Sequence, residues 1–458
     1  MRVVICGAGQ VGFGIAARLA AENNNVTVID RSPQLITAIR DTLDVRGFVG
    51  HGAHPDVLAQ AGADEADMII AVTLFDEVNM IACQVAHSLF AVPTKIARVR
   101  AQSYLKKHWS NLFSRDHMPI DVIISPELEV GEMVLRRLAQ PGAVETISFA
   151  EDKVAVLGIL CGDDCPVIDT PLVQLTELFP DLNATVVGIV RNGKLFVPHS
   201  RDQMFAGDLV YVVTETGRVK RTLTIFGKEE QFGARIVIGG GGNIGFYVAQ
   251  NLEKRNARAK IKIIESNHER AIEIAEALDR TVVLNGSALD AAILKEADID
   301  QADTMIALTN DDKVNLLTAA LAKQLGCRRS VSLINEPALS PLSRTIGIDA
   351  YINPRAVTIS RILQHVRRGR IRNVHTIQEG AAEVIEADAL ETSPLVGKAL
   401  RDLHLPDGMR IGAIIHKKDV ITPTGDSRIL PGDRFIIFAT ADQVPKVEQM
   451  ARVSLEYF

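Results

Sequence analysis

Gly7, Gly9 and Gly12 follow the apolar run Val3-Val4-Ile5-Cys6, and an amphipathic stretch begins at Gly12 and reaches Leu19. Between a strand and a helix this spacing suits a pyrophosphate. The first glycine permits a tight turn, the second lets backbone approach the phosphates, and the third lets helix pack on strand, while free N–H groups at the helix start attract the charge. Ala8, Gln10 and Val11 complete the turn. Asp30 ends the next apolar run, Val26-Thr27-Val28-Ile29, eighteen residues beyond Gly12, where a carboxylate can accept both ribose hydroxyls. It would repel a 2′-phosphate, which favours NAD(H) or an adenine nucleotide over NADP, although the neighbouring Arg31 blurs that preference. Arg98 closes Ile96-Ala97-Arg98 at a strand's C-terminal end, where parallel sheets open their crevices, and could pair with a phosphate or with a surface carboxylate. The bland alternative is that the glycines serve only turn and packing.

The same set recurs 233 residues on. Ile236-Val237-Ile238 leads into Gly240, Gly241, Gly242, Asn243, Ile244 and Gly245, and Glu265 takes the place of Asp30. Met68 to Thr73 falls on Thr304 to Thr309 at an offset of 236, with Asp76 and Asn79 on Asp312 and Asn315. Asp121 to Pro126 matches Asp349 to Pro354 at an offset of only 228, so an eight-residue excess is expected in the first half, around Lys106 to Asn111, beside the single Trp109. At an offset of 234, Arg98 falls on Ser332. The two sites are therefore expected to differ, the first holding a dinucleotide better.

These groups need elements to carry them. Strands alternating with helical patterns at βαβ spacing predict a parallel sheet with helices on both faces in each copy. Beyond each, a shorter repeat follows: Val186 to Lys194, Pro198, Gly207-Asp208 and Leu209 to Val213 recur as Ile411 to Asp419, Pro423, Gly432-Asp433 and Phe435 to Phe438. The reading is an α/β chain, a tandem duplication of a Rossmann-like parallel-sheet domain followed by a small α+β C-terminal domain. Boundaries are expected at 1–139, 140–229, 230–370 and 371–458. Pro126 and Pro354 each open a helix. In the second, Ile359, Ile362, Leu363 and Val366 form one apolar stripe that something must cover, so these helices are the expected hinges and pairing surfaces.

Composition narrows the partners. The 458 residues carry 50 Lys plus Arg against 56 Asp plus Glu, a net charge of −6 that argues against nucleic acid. At roughly 100–200 residues per domain, the length suits three or four domains. Apolar runs are strand-sized, so no membrane span or signal peptide is expected. Five scattered cysteines imply a reducing compartment. His51 and His54 read as a polar loop without a third metal ligand, and Cys161 and Cys165 as loop thiols. The basic run Arg367 to Arg372 reads as a solvated helix end. There is no nucleophile elbow, phosphate loop or His-Glu-x-x-His, and the small domains repeat turn residues rather than titratable ones, which points to binding as the output.

The duplicated unit, with Cys6 to Gly12, Gly50-His51-Gly52-Ala53-His54-Pro55-Asp56, Asp76-Glu77-Val78-Asn79-Met80 and Gly240 to Gly245, resembles the cytosolic regulatory A subunits of bacterial Trk potassium uptake, over essentially the whole chain. The resemblance implies tandem regulator-of-potassium-conductance domains with no enzymatic activity. It implies a homodimeric or homotetrameric ring, held at the inner face of the membrane only through a Trk-type transporter subunit. It implies NAD(H) at Gly7 to Val11, Asp30, Thr73, Leu74 and Arg98, a second nucleotide at Gly240 to Ile244, Glu265 and Thr309, and ATP or ADP as further candidates. Many members carry Gly-Asp-Ala after the third strand, where Ala53 and Ser287 follow Gly52 and Gly286 here. The rival reading from another class is an NAD-dependent oxidoreductase with duplicated Rossmann domains. A redox-sensing transcription factor is a third, weakened by the acidic balance and the lack of a helix-turn-helix.

Overall fold

The computed structural model describes residues 1–140, 142–179, 182–228, 234–366 and 371–450. The chain divides into two compact units, Met1–Val130 with Asn353–Val366, and Gly131–Ile352 with Arg367–Phe458.

In the first unit, β1 (Arg2–Cys6), β2 (Asn25–Asp30), β3 (Arg46–Val49), β4 (Met68–Ala71), β5 (Thr94–Arg98) and β6 (Val122–Ile124) form one parallel sheet in the order β3-β2-β1-β4-β5-β6. That is the doubly wound order, whose reversal beside β1 opens a ligand crevice at the C-terminal strand ends. The helices α1 (Gln10–Ala21), α2 (Pro33–Thr42), α3 (Pro55–Gln60) and α4 (Asp76–Phe90) connect the strands, and α5 (Pro126–Ala139) leaves the last of them. β4 is apolar throughout, and β1 is apolar after Arg2, because both faces are covered. One face packs Val3, Ile5, Ile15 and Leu19 together, and the other packs Val4, Cys6, Ile69 and Cys83.

The second unit contains everything from Gly131 to Ile352. Its first small sheet is antiparallel, built from β7 (Glu145–Phe149), β8 (Val154–Leu160), β9 (Ala184–Arg191), β10 (Lys194–Phe196) and β11 (Leu209–Glu215), ordered β10-β9-β11-β8-β7, with α6 (Leu172–Leu178) and α7 (Val219–Ile225). A second parallel sheet follows, from β12 (Arg235–Gly239), β13 (Lys260–Glu265), β14 (Val282–Asn285), β15 (Thr304–Ala307), β16 (Arg329–Leu333) and β17 (Ala350–Ile352), in the order β14-β13-β12-β15-β16-β17. Its helices are α8 (Asn243–Arg255), α9 (His268–Ala277), α10 (Ala291–Glu296), α11 (Asp312–Gln324) and α12 (Ser340–Thr345), and α13 (Pro354–Val366) follows β17. The last sheet, β18 (Ile371–Ile377), β19 (Ala382–Asp388), β20 (Met409–His416), β21 (Asp419–Ile421) and β22 (Arg434–Thr440), ordered β21-β20-β22-β19-β18, repeats the first small one and precedes α14 (Val444–Met450). The two small sheets share a core in which Val187, Tyr211 and Val213 meet Ile415, Ile436 and Phe438.

The proline-led helices explain the division of the chain. α13 emerges from the second parallel sheet but packs in the first unit: Ile362, Leu363 and Val366 are buried against Ile15 and Leu19, and Ile359 lies so close to α1 that a Cβ on Gly14 would sit 2.4 Å from its Cδ1. Residues Gly131 onward of α5 belong to the second unit, where a Cβ on Gly131 would sit 2.4 Å from Cδ1 of Tyr247 on α8. Glu132 there accepts hydrogen bonds from the Tyr247 hydroxyl at 2.6 Å and Arg255 at 2.7 Å. The stripe on α13 thus finds its cover in the first unit's own core.

The sequence excess falls in two 3-10 turns, Gln102–Leu105 and Lys107–Phe113, where the second copy has Pro337–Leu339 and α12. One of the eight residues lies elsewhere, because the span from the start of α11 to the start of β16 is one residue shorter than that from the start of α4 to the start of β5. Arg367 to Arg370, the core of the basic run, lie outside the described residues; Arg372 pairs with Asp388 at 2.7 Å. All five cysteines are free and buried, Cys161 and Cys165 within the first small domain's core. No helix among the described residues is long and apolar enough to cross a membrane.

Candidate functional site: paired nucleotide-type crevices

In the first unit the glycine turn is enforced by space. Gly7 has φ +115°, and a Cβ there would lie 3.0 Å from the backbone of Val72 and Thr73. A Cβ on Gly12 would lie 1.8 Å from the Gly7 carbonyl oxygen. A Cβ on Gly9 would meet nothing within 4 Å, so the space beside its backbone is open to a ligand. Gly9 caps α1 without a side-chain hydrogen bond, and Gln10 and Val11 begin a first turn with no acidic residue, which leaves helix-start N–H groups and the positive dipole end for an anion. Asp30 holds the turn in place, accepting from Ala8 N at 2.7 Å and Ser32 N at 2.8 Å.

The other wall comes from β4 and β5. Thr73 donates from its backbone N–H and its hydroxyl to Asn79 Oδ1 at 2.8 and 2.7 Å, and Asn79 Nδ2 donates to the Thr73 and Arg98 carbonyls. Asn79 is fully buried, so one amide side chain ties the two strand ends together. Arg98 Nη2 donates to the Thr73 carbonyl at 2.6 Å, while its buried Nε has no hydrogen-bond partner. Burial first, then the nearby Arg100 charge, lowers the Arg98 pKa. Asp76 receives Arg100 N and Ala101 N. Leu74 and Phe75 form an apolar lip, 74% and 59% exposed. Gly7 to Gly12, Asp30, Thr73 and Arg98 therefore converge on the C-terminal ends of β1, β2, β4 and β5, with Leu74 at the edge.

The second crevice repeats the frame. Gly240 has φ +105°, and a Cβ on Gly245 would lie 2.0 Å from the Gly240 carbonyl oxygen. Gly242 caps α8 above Asn243 and Ile244 with open space around it. Glu265 accepts from Gly241 N and Asn267 N, both at 2.7 Å. Thr309 donates to Asn315 as Thr73 does to Asn79.

Two pairings from the sequence need correction. Asn315 Nδ2 reaches the Leu333 carbonyl, as Asn79 Nδ2 reaches that of Arg98, so the counterpart of Arg98 is the buried Leu333 and not Ser332. Ser332 pairs with Ala307 as Ala97 pairs with Ala71. The one-residue shortening between the start of α11 and the start of β16 moves the register by one. Likewise Gly50 N donates to the Asp30 carbonyl as Gly286 N does to Glu265, so the residue matching Ser287 is His51, not Ala53.

Two further differences lie outside the glycine and carboxylate motifs. Asp311 caps α11, accepting from Lys313 N and Val314 N, where the first copy has the non-capping Phe75. Arg270 donates to the Gly241 carbonyl at 3.0 Å, placing a cation on the second glycine turn. Asn79 and Asn315 matched across the repeat, but nothing in their spacing disclosed the link they make. Among the described residues no group of three potential ligands gathers to hold a metal; the His51 and His54 rings stack instead, with centroids 4.4 Å apart.

Open backbone at Gly9 and Gly242, uncapped helix starts and an unpartnered Arg98 Nε fit a diphosphate-bearing nucleotide. Fold and site together define a protein with two Rossmann-like nucleotide folds, each followed in the chain by a small antiparallel domain. The TrkA-N domain model matches residues 3–126 and 236–354, and the TrkA-C domain model matches residues 384–452. The chain is 61% identical to the Trk system potassium uptake protein TrkA of Azorhizobium caulinodans, with both chains covered completely. It is 40% identical to that of Halomonas elongata, again over all of both chains, and 37% identical to that of Haemophilus influenzae over 99% of each. The chain belongs to the TrkA family, and these relatives are named as potassium uptake proteins. Its fold is shared with the RCK domain of GsuK, at a TM-score of 0.60 and 19% identity over 98% of this chain and 94% of that one. A GsuK channel bound to NAD aligns at a TM-score of 0.59 and 18% identity over 98% and 78%.

Proposed function

We propose that this chain is a peripheral cytosolic subunit that binds NAD(H) in its first crevice and an adenine nucleotide in its second, and thereby gates a Trk-type membrane potassium transporter. The observation that carries the reading is the doubled clamp in which a carboxylate at the end of the second strand grips the glycine turn, Asp30 on Ala8 and Glu265 on Gly241. The relatives named for Trk potassium uptake supply the transporter, and the NAD in the GsuK channel supports the ligand. When bound, the dinucleotide supplies only its shape and charge; the residues that would hold it are Gly7 to Gly12, Asp30, Thr73, Leu74 and Arg98, with Gly240 to Gly245, Glu265 and Thr309 in the second crevice.

The mechanism is allosteric. Nucleotide binding alters the crevice walls that Asn79 and Asn315 tie together, and a dimeric or tetrameric ring of such chains passes the change to the membrane partner. Coupling of about 1–3 kcal/mol changes flux several-fold. The reading divides the chain at 1–139, 140–229, 230–370 and 371–458. The test is co-purification with a Trk-type membrane subunit, with and without NADH or ATP. Nucleotide-dependent capture supports the assignment; turnover of NADH with a substrate, without capture, would return the oxidoreductase.

A further inference from the structure

The order β3-β2-β1 fixes where the base of a bound nucleotide falls. The glycine turn after β1 takes the pyrophosphate and Asp30 after β2 takes the ribose, so the base attached to that ribose lies over the turn after β3, residues 50–54. That turn is pinned from both sides. Gly50 N donates to the Asp30 carbonyl at 2.9 Å, and Cys6 Sγ donates to the Gly52 carbonyl at 3.4 Å. A Cβ on Gly52 would come within 2.9 Å of Cys6 Cβ, so the turn sits directly on the core strand β1.

What the turn offers a base is an imidazole face. The His51 and His54 rings stack with centroids 4.4 Å apart at 22°. His51 Nδ1 accepts the Ala53 N–H at 3.3 Å, which leaves the proton of the neutral ring on Nε2. Burial, with the His54 and Arg31 charges beside it, lowers the His51 pKa and favours that neutral form. Gly50, Gly52 and Ala53 have no polar side chain, and the His54 ring stacks on that of His51, so apart from backbone the turn sets no acceptor but an imidazole nitrogen near an exocyclic amino group. In the second copy the same position is Ser287, whose Oγ accepts from Leu289 N at 3.2 Å and which has no ring.

We propose that His51, backed by His54, is the base-binding residue of the first crevice and holds a purine by stacking, so that this crevice accepts an adenine or a hypoxanthine dinucleotide alike. The inference rests on the nucleotide reading of that crevice. Stacking tolerates the exchange of an amino for an oxo group because every base presents a π face.

The test is titration calorimetry on the full chain carrying Glu265→Ala, which removes the carboxylate of the second crevice, with NADH and with reduced nicotinamide hypoxanthine dinucleotide. The two affinities should agree within about fivefold; His51→Ala should weaken both by about tenfold, and His51→Phe should restore them. A larger penalty for the hypoxanthine ligand, or unchanged NADH affinity in His51→Ala, overturns the proposal while the nucleotide reading stands. Failure of NADH to bind the His51-containing chain overturns that reading and this proposal with it.

Discussion

Gly9 and Gly12 separate ligand binding from folding at a single turn. A Cβ on Gly12 meets the Gly7 carbonyl at 1.8 Å, whereas one on Gly9 meets nothing within 4 Å. Gly12→Ala should therefore lower stability by about 1–3 kcal/mol, the usual cost of overpacking, or more, because the obstacle is backbone. Gly9→Ala should leave the urea midpoint in place and weaken nucleotide binding, because its methyl enters the space a pyrophosphate needs. Calorimetry beside chemical unfolding checks both. Arg98→Ser should reduce affinity at the first site alone, since Leu333 stands at the matching place in the second; equal losses at both sites would remove the asymmetry. The glycine turns and their carboxylates could be read in the sequence because their chemistry is local in the chain. The Asn79 link to Arg98 could not, because it joins residues brought together only by the sheet, and a one-residue change of register hid Leu333 behind Ser332.

At the scale of elements, α5 and α13 carry complementary surfaces. On α1 the recess is Gly14 and the projection comes from Ile359 of α13; on α8 the projection is Tyr247 and the recess is Gly131 of α5. Exchanging partners would set glycine against glycine in one pair and Tyr247 against Ile359 in the other, so side-chain size selects which helix packs where. Gly131→Leu should cost about 1–3 kcal/mol by overpacking against Tyr247. Adding Tyr247→Ala should recover part of it, a coupling that a double-mutant cycle in urea would measure. Full additivity would contradict the contact. The stripe on α13 was visible from its spacing, but its cover was not, since periodicity says that a face is buried and not against what. The small antiparallel sheets were legible only in their hairpins and central strands; β7 and β18, with polar residues such as Glu145, Asn373 and His375, have no clean apolar alternation.

For the whole molecule, the shared core of the small domains contains an acid-sensitive join. Glu145 accepts from the Tyr211 hydroxyl and pairs with His375, each at 3.2 Å. Burial alone would raise its pKa; the hydrogen bond from His375, the His375 charge and that of Arg137 outweigh it, and the carboxyl lies below its usual value of 4.5. A carboxylate lowered by folding stabilises fully above its unfolded pKa and ceases to do so as pH falls through the folded one. The melting temperature should therefore drop below about pH 4.5 more steeply in the wild-type chain than in Glu145→Gln. Parallel profiles would show that the pair contributes nothing.

These scales meet in one claim, that nucleotide in the glycine crevices controls potassium flux through a membrane partner. The direct measurement is potassium flux through a Trk-type transporter in proteoliposomes, with this chain added, with and without NADH. Flux should change several-fold with NADH in the presence of the wild-type chain, and the change should disappear with Asp30→Ala. Flux indifferent to nucleotide, or equally responsive with Asp30→Ala, would contradict the account.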